Sequence, residues 1–339
     1  MTSDVAAIAA RIPKAELHVH LEGTIAPQTY ARIARRNGIE PKDPDKLFAC
    51  NDLDSFLNAF LEAVKVLRRP EDFAELADEY LARSPTEHVR HVEFFISPAT
   101  QRKFIPDLNL QSTIRAIWDA CERARIATGV TSRLIIDMVR NLGEEEALRD
   151  VDLASACKRY GVVGVGLGGD ERRFPASGFK RAYKRAKARG LRRTVHAGEA
   201  AGPQSIVDAV ELLGAERIGH GIAASGQPQV LALLRDRGVT IDACPTSNRF
   251  TAALADGEAH PLREFIAARV PVTLSSDDPA FFHTSVMAEY EYAAALGCGV
   301  EEIVSIARAS FERSFLPADE RRRRVADVDA YVDGLGITR

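Results

Sequence analysis

Cysteine is scarce, five in 339 residues, and no two stand closer than Cys121 and Cys157. Neither a C-x-x-C redox pair nor a four-thiolate metal site can be drawn from such a set, and its odd, scattered spacing argues for a reducing compartment. Long apolar runs are missing as well. No stretch approaches the ~20 apolar residues of a membrane span, and the first twenty residues, broken by Asp4 and Arg11, lack the form of a secretory signal. Charge of one sign is also absent: 45 Lys and Arg against 48 Asp and Glu leave −3, so no global electrostatic case exists for a nucleic acid or a membrane surface. The 23 Gly and 16 Pro are too few for a collagen-like chain, and 46% hydrophobic residues exclude disorder. A cytoplasmic protein that folds on its own core is expected.

What is present is an alternation of short apolar runs with amphipathic segments. Eight runs read as strands: Ala15–Val19, His91–Ile96, Ser132–Asp137, Val162–Leu167, Arg193–His196, Arg217–Gly219, Thr240–Cys244 and Val272–Ser275. Helical spacing separates them, as in Ile206–Leu213 and Gln229–Arg237. Gly190, Gly214 and Gly238 stand where helices end, just before the next strand. Strand–helix alternation implies parallel pairing with right-handed crossovers. No G-x-G-x-x-G follows the first strand, so a closed (β/α)8 TIM-type barrel is preferred over an open dinucleotide-binding sheet. The expectation is one barrel domain over 1–339, with a long helical insertion at about 24–88 after the first strand and a helical segment at about 300–339. In the insertion Phe56, Leu57, Phe60 and Leu61 recur at helical spacing, which suits a helix core or a lid over the pocket. The run Glu320–Arg324 reads as a solvated helix face.

The polar residues at the strand ends are not those of ordinary loops. The first strand ends in His18-Val19-His20-Leu21-Glu22, the fifth in His196-Ala197-Gly198-Glu199, the sixth in Gly219-His220-Gly221 and the eighth in Ser276-Asp277-Asp278. Residues two apart in a strand point the same way, so His18 and His20 project together. In a parallel barrel all four clusters meet at one mouth. Neutral imidazoles with a carboxylate suit Zn²⁺ or a similar ion, and a His and a Glu left over suit proton transfer. An isolated His-x-His or Asp pair carries little weight; the four clusters together carry a site. His88, His91 and His260 read as structural, and His283, close after the Asp pair, is less clearly so.

In order along the chain, PKAELHVHLEGT, VGLGGDE, TVHAGE, IGHG, CPTSN and SSDDPAFF resemble the adenosine deaminase family of the amidohydrolase superfamily, and RSFLPADE resembles its C-terminal signature. The H-x-E/P-C-x-x-C pattern of the other zinc deaminases is absent. The resemblance implies one Zn²⁺ per chain on His18, His20, His196 and Asp277. It implies Glu199, His220 and Asp277 as catalytic groups, and Glu22, Gly169 and Asp278 as contacts to a small purine substrate. It implies hydrolytic deamination of a 6-aminopurine nucleoside, adenosine or 2′-deoxyadenosine first. Alternatives are free adenine, a 5′-modified nucleoside such as aminodeoxyfutalosine and, more remotely, a non-catalytic purine binder. Several positions divide the substrate expectation. Gly219 before His220, and Gly168-Gly169-Asp170-Glu171 in the loop after the fourth strand, resemble nucleoside-using members; Glu22 and Gly166 stand where those members usually carry Asp. The segment HVEFFISPATQ is nearer to free-base enzymes. The sequence sets no oligomeric state.

Overall fold

The computed structural model describes residues 2–50, 53–255 and 257–336. Eight strands follow one another in space as in sequence: β1 Lys14–His20, β2 Val89–Ile96, β3 Thr131–Val139, β4 Val162–Gly168, β5 Arg192–Ala197, β6 Arg217–His220, β7 Thr240–Ala243 and β8 Val272–Leu274. Each neighbouring pair is parallel. All eight expected runs are strands, and the expected (β/α)8 barrel is the fold. The runs suit parallel pairing because both faces are covered, which favours unbroken apolar stretches over strict alternation. Gly190, Gly214 and Gly238 adopt left-handed φ values where their helices end.

β1 and β8 close the barrel by fewer backbone contacts than the other pairs. The bridge is Val19 with Asp277, where His20 N donates to Asp277 O (2.9 Å) and Asp277 N donates to His18 O (3.1 Å). Lower on the seam the Ser275 hydroxyl accepts from the backbone N–H groups of Leu17 (3.2 Å) and His18 (3.1 Å).

The long first connection is helical, as expected, with helices Pro27–Arg36, Pro44–Leu47, Leu53–Val66 and Pro70–Arg83. It packs on the loop after β8. Phe48 stacks on Phe281, and Phe56 lies against both Phe281 and Phe282, with Phe60 behind. Leu57, on the same helix, points outward and is 47% exposed, so the apolar stripe is narrower than its spacing suggested. The connection therefore covers the C-terminal end of the barrel where β8 delivers Asp277 and Asp278.

The opposite end is plugged. Arg217, from the start of β6, meets Glu93 of β2 at 2.6 Å and Asp242 of β7 at 2.9 Å, and donates to the Leu17 carbonyl at 3.1 Å. Phe315 lies under its guanidinium, 4.0 Å away, and donates its backbone N–H to Glu93. The expected C-terminal helical segment is Val300–Glu312 and Ala318–Gly334, and its last three positions, 337–339, lie outside the described residues. Arg322 and Arg323 of the basic run are exposed, while Arg324 turns in to donate to the Gly129 carbonyl at 2.9 Å.

Candidate active site

His18 and His20 occupy β1, His196 β5 and His220 the last position of β6; Asp277 and Asp278 follow β8. The barrel brings four of these to one point. His196 Nε2 lies 3.0 Å from His18 Nε2 and 3.2 Å from His20 Nε2, while Asp277 Oδ1 is 3.5 Å and 3.3 Å from the same two nitrogens. A tetrahedral shell with bonds of 2.0–2.1 Å has donor-to-donor edges of about 3.3–3.4 Å by geometry, so the four atoms already stand at first-shell spacing. The Nδ1 atoms of His18 and His196 are buried without a partner, and all three rings turn Nε2 inward.

The shifts at His18, His196 and Asp277 favour their ligand forms. Burial pushes His18 down to about 4 and His196 well below the ordinary histidine value, which favours neutral imidazole. Burial alone would raise Asp277, but His18 and His20 hold it well below the usual carboxylate range. Against the effect of burial, Asp278 and Asp277 draw His20 up to about 10, which marks a negative field at the centre of the cluster. Donor set, spacing and field all fit one divalent cation.

Glycine matters at one approach. A Cβ on Gly219 would lie 2.5 Å from His18 Cε1, so a side chain ahead of His220 would displace a member of the cluster. His220 itself is buried, with Asn248 3.0 Å from its Nδ1 and Glu199 3.7 Å from its Nε2. Glu199 is raised above the ordinary glutamate value chiefly by burial, with Asp277 and Glu171 adding to it. Asp278, raised well above the carboxylate range for the same leading reason, keeps Oδ1 buried and unpartnered. Gly169, φ +94, follows β4 and lies near Asn141 of the neighbouring loop. Glu22 is buried and pinned: its Oε1 accepts from Ser97 N (3.2 Å) and Gln101 Nε2 (2.9 Å), while Oε2 has no partner. Ser97 and Gln101 belong to HVEFFISPATQ, so two features read separately in the sequence are one device.

Several neighbours escaped the sequence reading. Asp137 closes the inner face of β3 opposite Gly166, where a Cβ would lie 2.5 Å from its carboxylate, and burial raises it to about 7. Ser247, inside CPTSN, donates its hydroxyl to Asp277 Oδ2 at 2.7 Å. Asn248, Arg140 and Glu171 likewise hold site residues. The remaining histidines stay outside. His91 bonds Thr131 and Glu93, buried His260 accepts from Leu262 N, and His283 donates to the Phe48 carbonyl.

Comparison with known proteins gives the family. The family model described as adenosine deaminase matches residues 13–331. An adenine deaminase of Cupriavidus metallidurans is 37% identical over 328 residues, 95% of this chain and 92% of the relative. An aminodeoxyfutalosine deaminase of Streptomyces avermitilis is 37% identical over 338 residues, covering 97% and 93%. Among solved structures, an amidohydrolase from Burkholderia ambifaria with bound zinc superimposes with a TM-score of 0.89 at 26% identity, over 98% of this chain and 94% of its own.

Proposed function

From the premise that the chain belongs to the adenosine deaminase family, we propose that it removes the amino group of a 6-aminopurine by hydrolysis, releasing ammonia. The observation that carries this reading is the convergence of His18, His20, His196 and Asp277 beside a half-buried Glu199 whose carboxyl is raised. Those four would hold one Zn²⁺, the ion carried by the Burkholderia relative. When bound, it supplies water that loses a proton near neutral pH.

The chain's own groups complete the reaction. His220, with Asp277, orients the water and takes its proton as the oxygen adds to C6. Attack at C6 moves electron density onto ring N1, and Glu199, its carboxyl raised chiefly by burial, is the acid that donates there. The proton on His220 passes to the amino group, the C6–N bond breaks, and ammonia leaves. The hydroxyl proton on C6 returns to Glu199, leaving the 6-oxopurine with its N1–H. Asp278, neutral because of its burial, donates to N7, and the Gly169 N–H donates to N3.

The substrate is a deeper question for Glu22. Adenosine and 2′-deoxyadenosine head the expectation from the sequence. The relatives are named for adenine and for aminodeoxyfutalosine, and the pinning of Glu22 by Ser97 and Gln101 favours these two by fixing a longer carboxylate where nucleoside-using members carry Asp. The test is kcat/KM for adenine, aminodeoxyfutalosine, adenosine and 2′-deoxyadenosine on protein containing one zinc per chain. Turnover of one or more supports the reading; failure on all four removes it. The same reading takes residues 1–339 as one barrel domain acting in the cytoplasm, in keeping with five scattered cysteines; among the described residues, no helix is long and apolar enough to cross a membrane.

A further inference from the structure

The side chain of Glu199 is loosely held. Its Oε1 accepts from the Thr251 hydroxyl at 3.4 Å, and its Oε2 lies 3.7 Å from His220 Nε2. Both contacts are long for a group that must deliver a proton to one ring atom, since productive geometry tolerates only about 0.5 Å of error. The backbone beneath it is held quite differently. Four successive N–H groups converge on the carboxylate of Glu171: Gly198 reaches Oε1 at 2.5 Å, while Glu199, Ala200 and Ala201 reach Oε2 at 3.1, 2.8 and 3.0 Å. The chain can curl its amides around one anion because Gly198 takes a left-handed φ of +70°.

Two more side chains grip the same segment. Buried Arg140 donates to the His196 carbonyl at 2.5 Å and to the Phe174 carbonyl at 3.0 Å. Arg172, next to Glu171 but exposed, donates from Nε to the Ala200 carbonyl at 2.6 Å. The loops after β3 and β4 thus clasp the loop after β5 through its backbone, from His196 to Ala201. Glu171 is the centre of that clasp, 4% exposed and bonded to every N–H in the turn that carries Glu199.

We infer that Glu171 is a positioning residue for proton delivery by Glu199: its carboxylate, through four backbone bonds, fixes where the Glu199 side chain starts and so where its proton can arrive. The inference rests on the deaminase reading of Glu199. Only a group that accepts at both oxygens suits four converging donors; an amide there sets its own N–H against at least one of them. The Glu171 charge also adds to the burial that raises the Glu199 carboxyl.

A double-mutant cycle tests this on zinc-loaded protein with whichever member of the substrate panel is turned over. Glu171→Gln should lower kcat about 10- to 100-fold and move KM less than about threefold, with metal content unchanged, because the loss falls on proton transfer and not on binding. In the Glu199→Gln background the same change should cost less than about twofold, since the group it positions no longer donates. Equal losses in both backgrounds, or an unchanged kcat for Glu171→Gln, overturn the inference while leaving the deaminase reading standing. Wild-type kcat in Glu199→Gln alone removes that reading's acid, and the inference with it. Should Glu171→Gln fold poorly, Arg172→Ala at the exposed position takes its place, with an expected kcat loss of about 3- to 10-fold that disappears in the Glu199→Gln background; an equal loss in both backgrounds again overturns it.

Discussion

At the N-terminal end of the barrel, Arg217 lies between Glu93 and Asp242 with Phe315 beneath it, and each charge faces its opposite. At the C-terminal end, Glu22, Asp137 and Asp278 each keep a buried oxygen with no protein partner, around three imidazoles whose Nε2 atoms face one another. One barrel thus buries ionisable groups twice, pairing them where nothing is to be bound and leaving an oxygen unpartnered where something is. Unpaired burial costs stability. A protein retains it when the missing partner is a ligand, so the contrast locates the site without reference to any relative.

The two ends should respond to mutation in opposite ways. Glu199→Gln, at the open end, should lower kcat by about 10²- to 10⁴-fold, with product binding retained in calorimetry and the melting temperature nearly unchanged. Arg217→Met, at the plugged end, should destabilise by about 3–5 kcal/mol, because Glu93 and Asp242 lose their shared cation. Urea unfolding measures that loss, and kcat per folded molecule should stay within about twofold. An Arg217 variant with normal stability would break the comparison at its paired end.

Asp137→Asn removes an unpaired buried carboxylate and should stabilise chelated protein by about 1 kcal/mol at pH 8, while turnover of the loaded enzyme falls. Destabilisation by that change would mean that Asp137 is already satisfied. The smallest effect is one of pH. Burial raises Asp242 to about 6 in spite of Arg217, so its contribution favours folding at low pH and is lost as pH rises from about 4 through 6. Burial works on Glu93 too, but Arg217 overcomes it and brings the group down to about 2, so its contribution is full above about 4.5 and is lost as pH falls toward 2. Asp242→Asn should therefore flatten the decline between pH 4 and 6 and leave the acid-side loss, read from urea midpoints across pH 2–8.

Much of the open end was legible in the sequence. Four histidines at strand ends are chemically conspicuous, and short apolar runs at regular intervals fix the barrel that gathers them. Glu171 shows where legibility stopped. It stands inside the segment VGLGGDE, yet its partners are the N–H groups of residues 198–201, and every residue but proline has an N–H. A side chain that grips backbone leaves no complementary letter elsewhere in the chain. Arg140, holding the His196 carbonyl, was missed for the same reason. Glu93, Arg217 and Asp242 do have complementary letters, but they lie on three separate strands, Arg217 at the start of its own, and only the closed barrel puts them in one layer. Asp137 read as the last residue of a strand. Its meaning depends on Gly166 across the register, where a side chain is missing.

The seam between β1 and β8 has its own consequence. The backbone exchange that closes the barrel runs between His18, His20 and Asp277, and the side chains of those residues are three of the four gathered donors. Sealing the cylinder and assembling the donor cluster are thus one event. A nascent chain emerging from the ribosome holds two of these imidazoles long before the other donors, yet it can shape the pocket only once its eighth strand is free to come home.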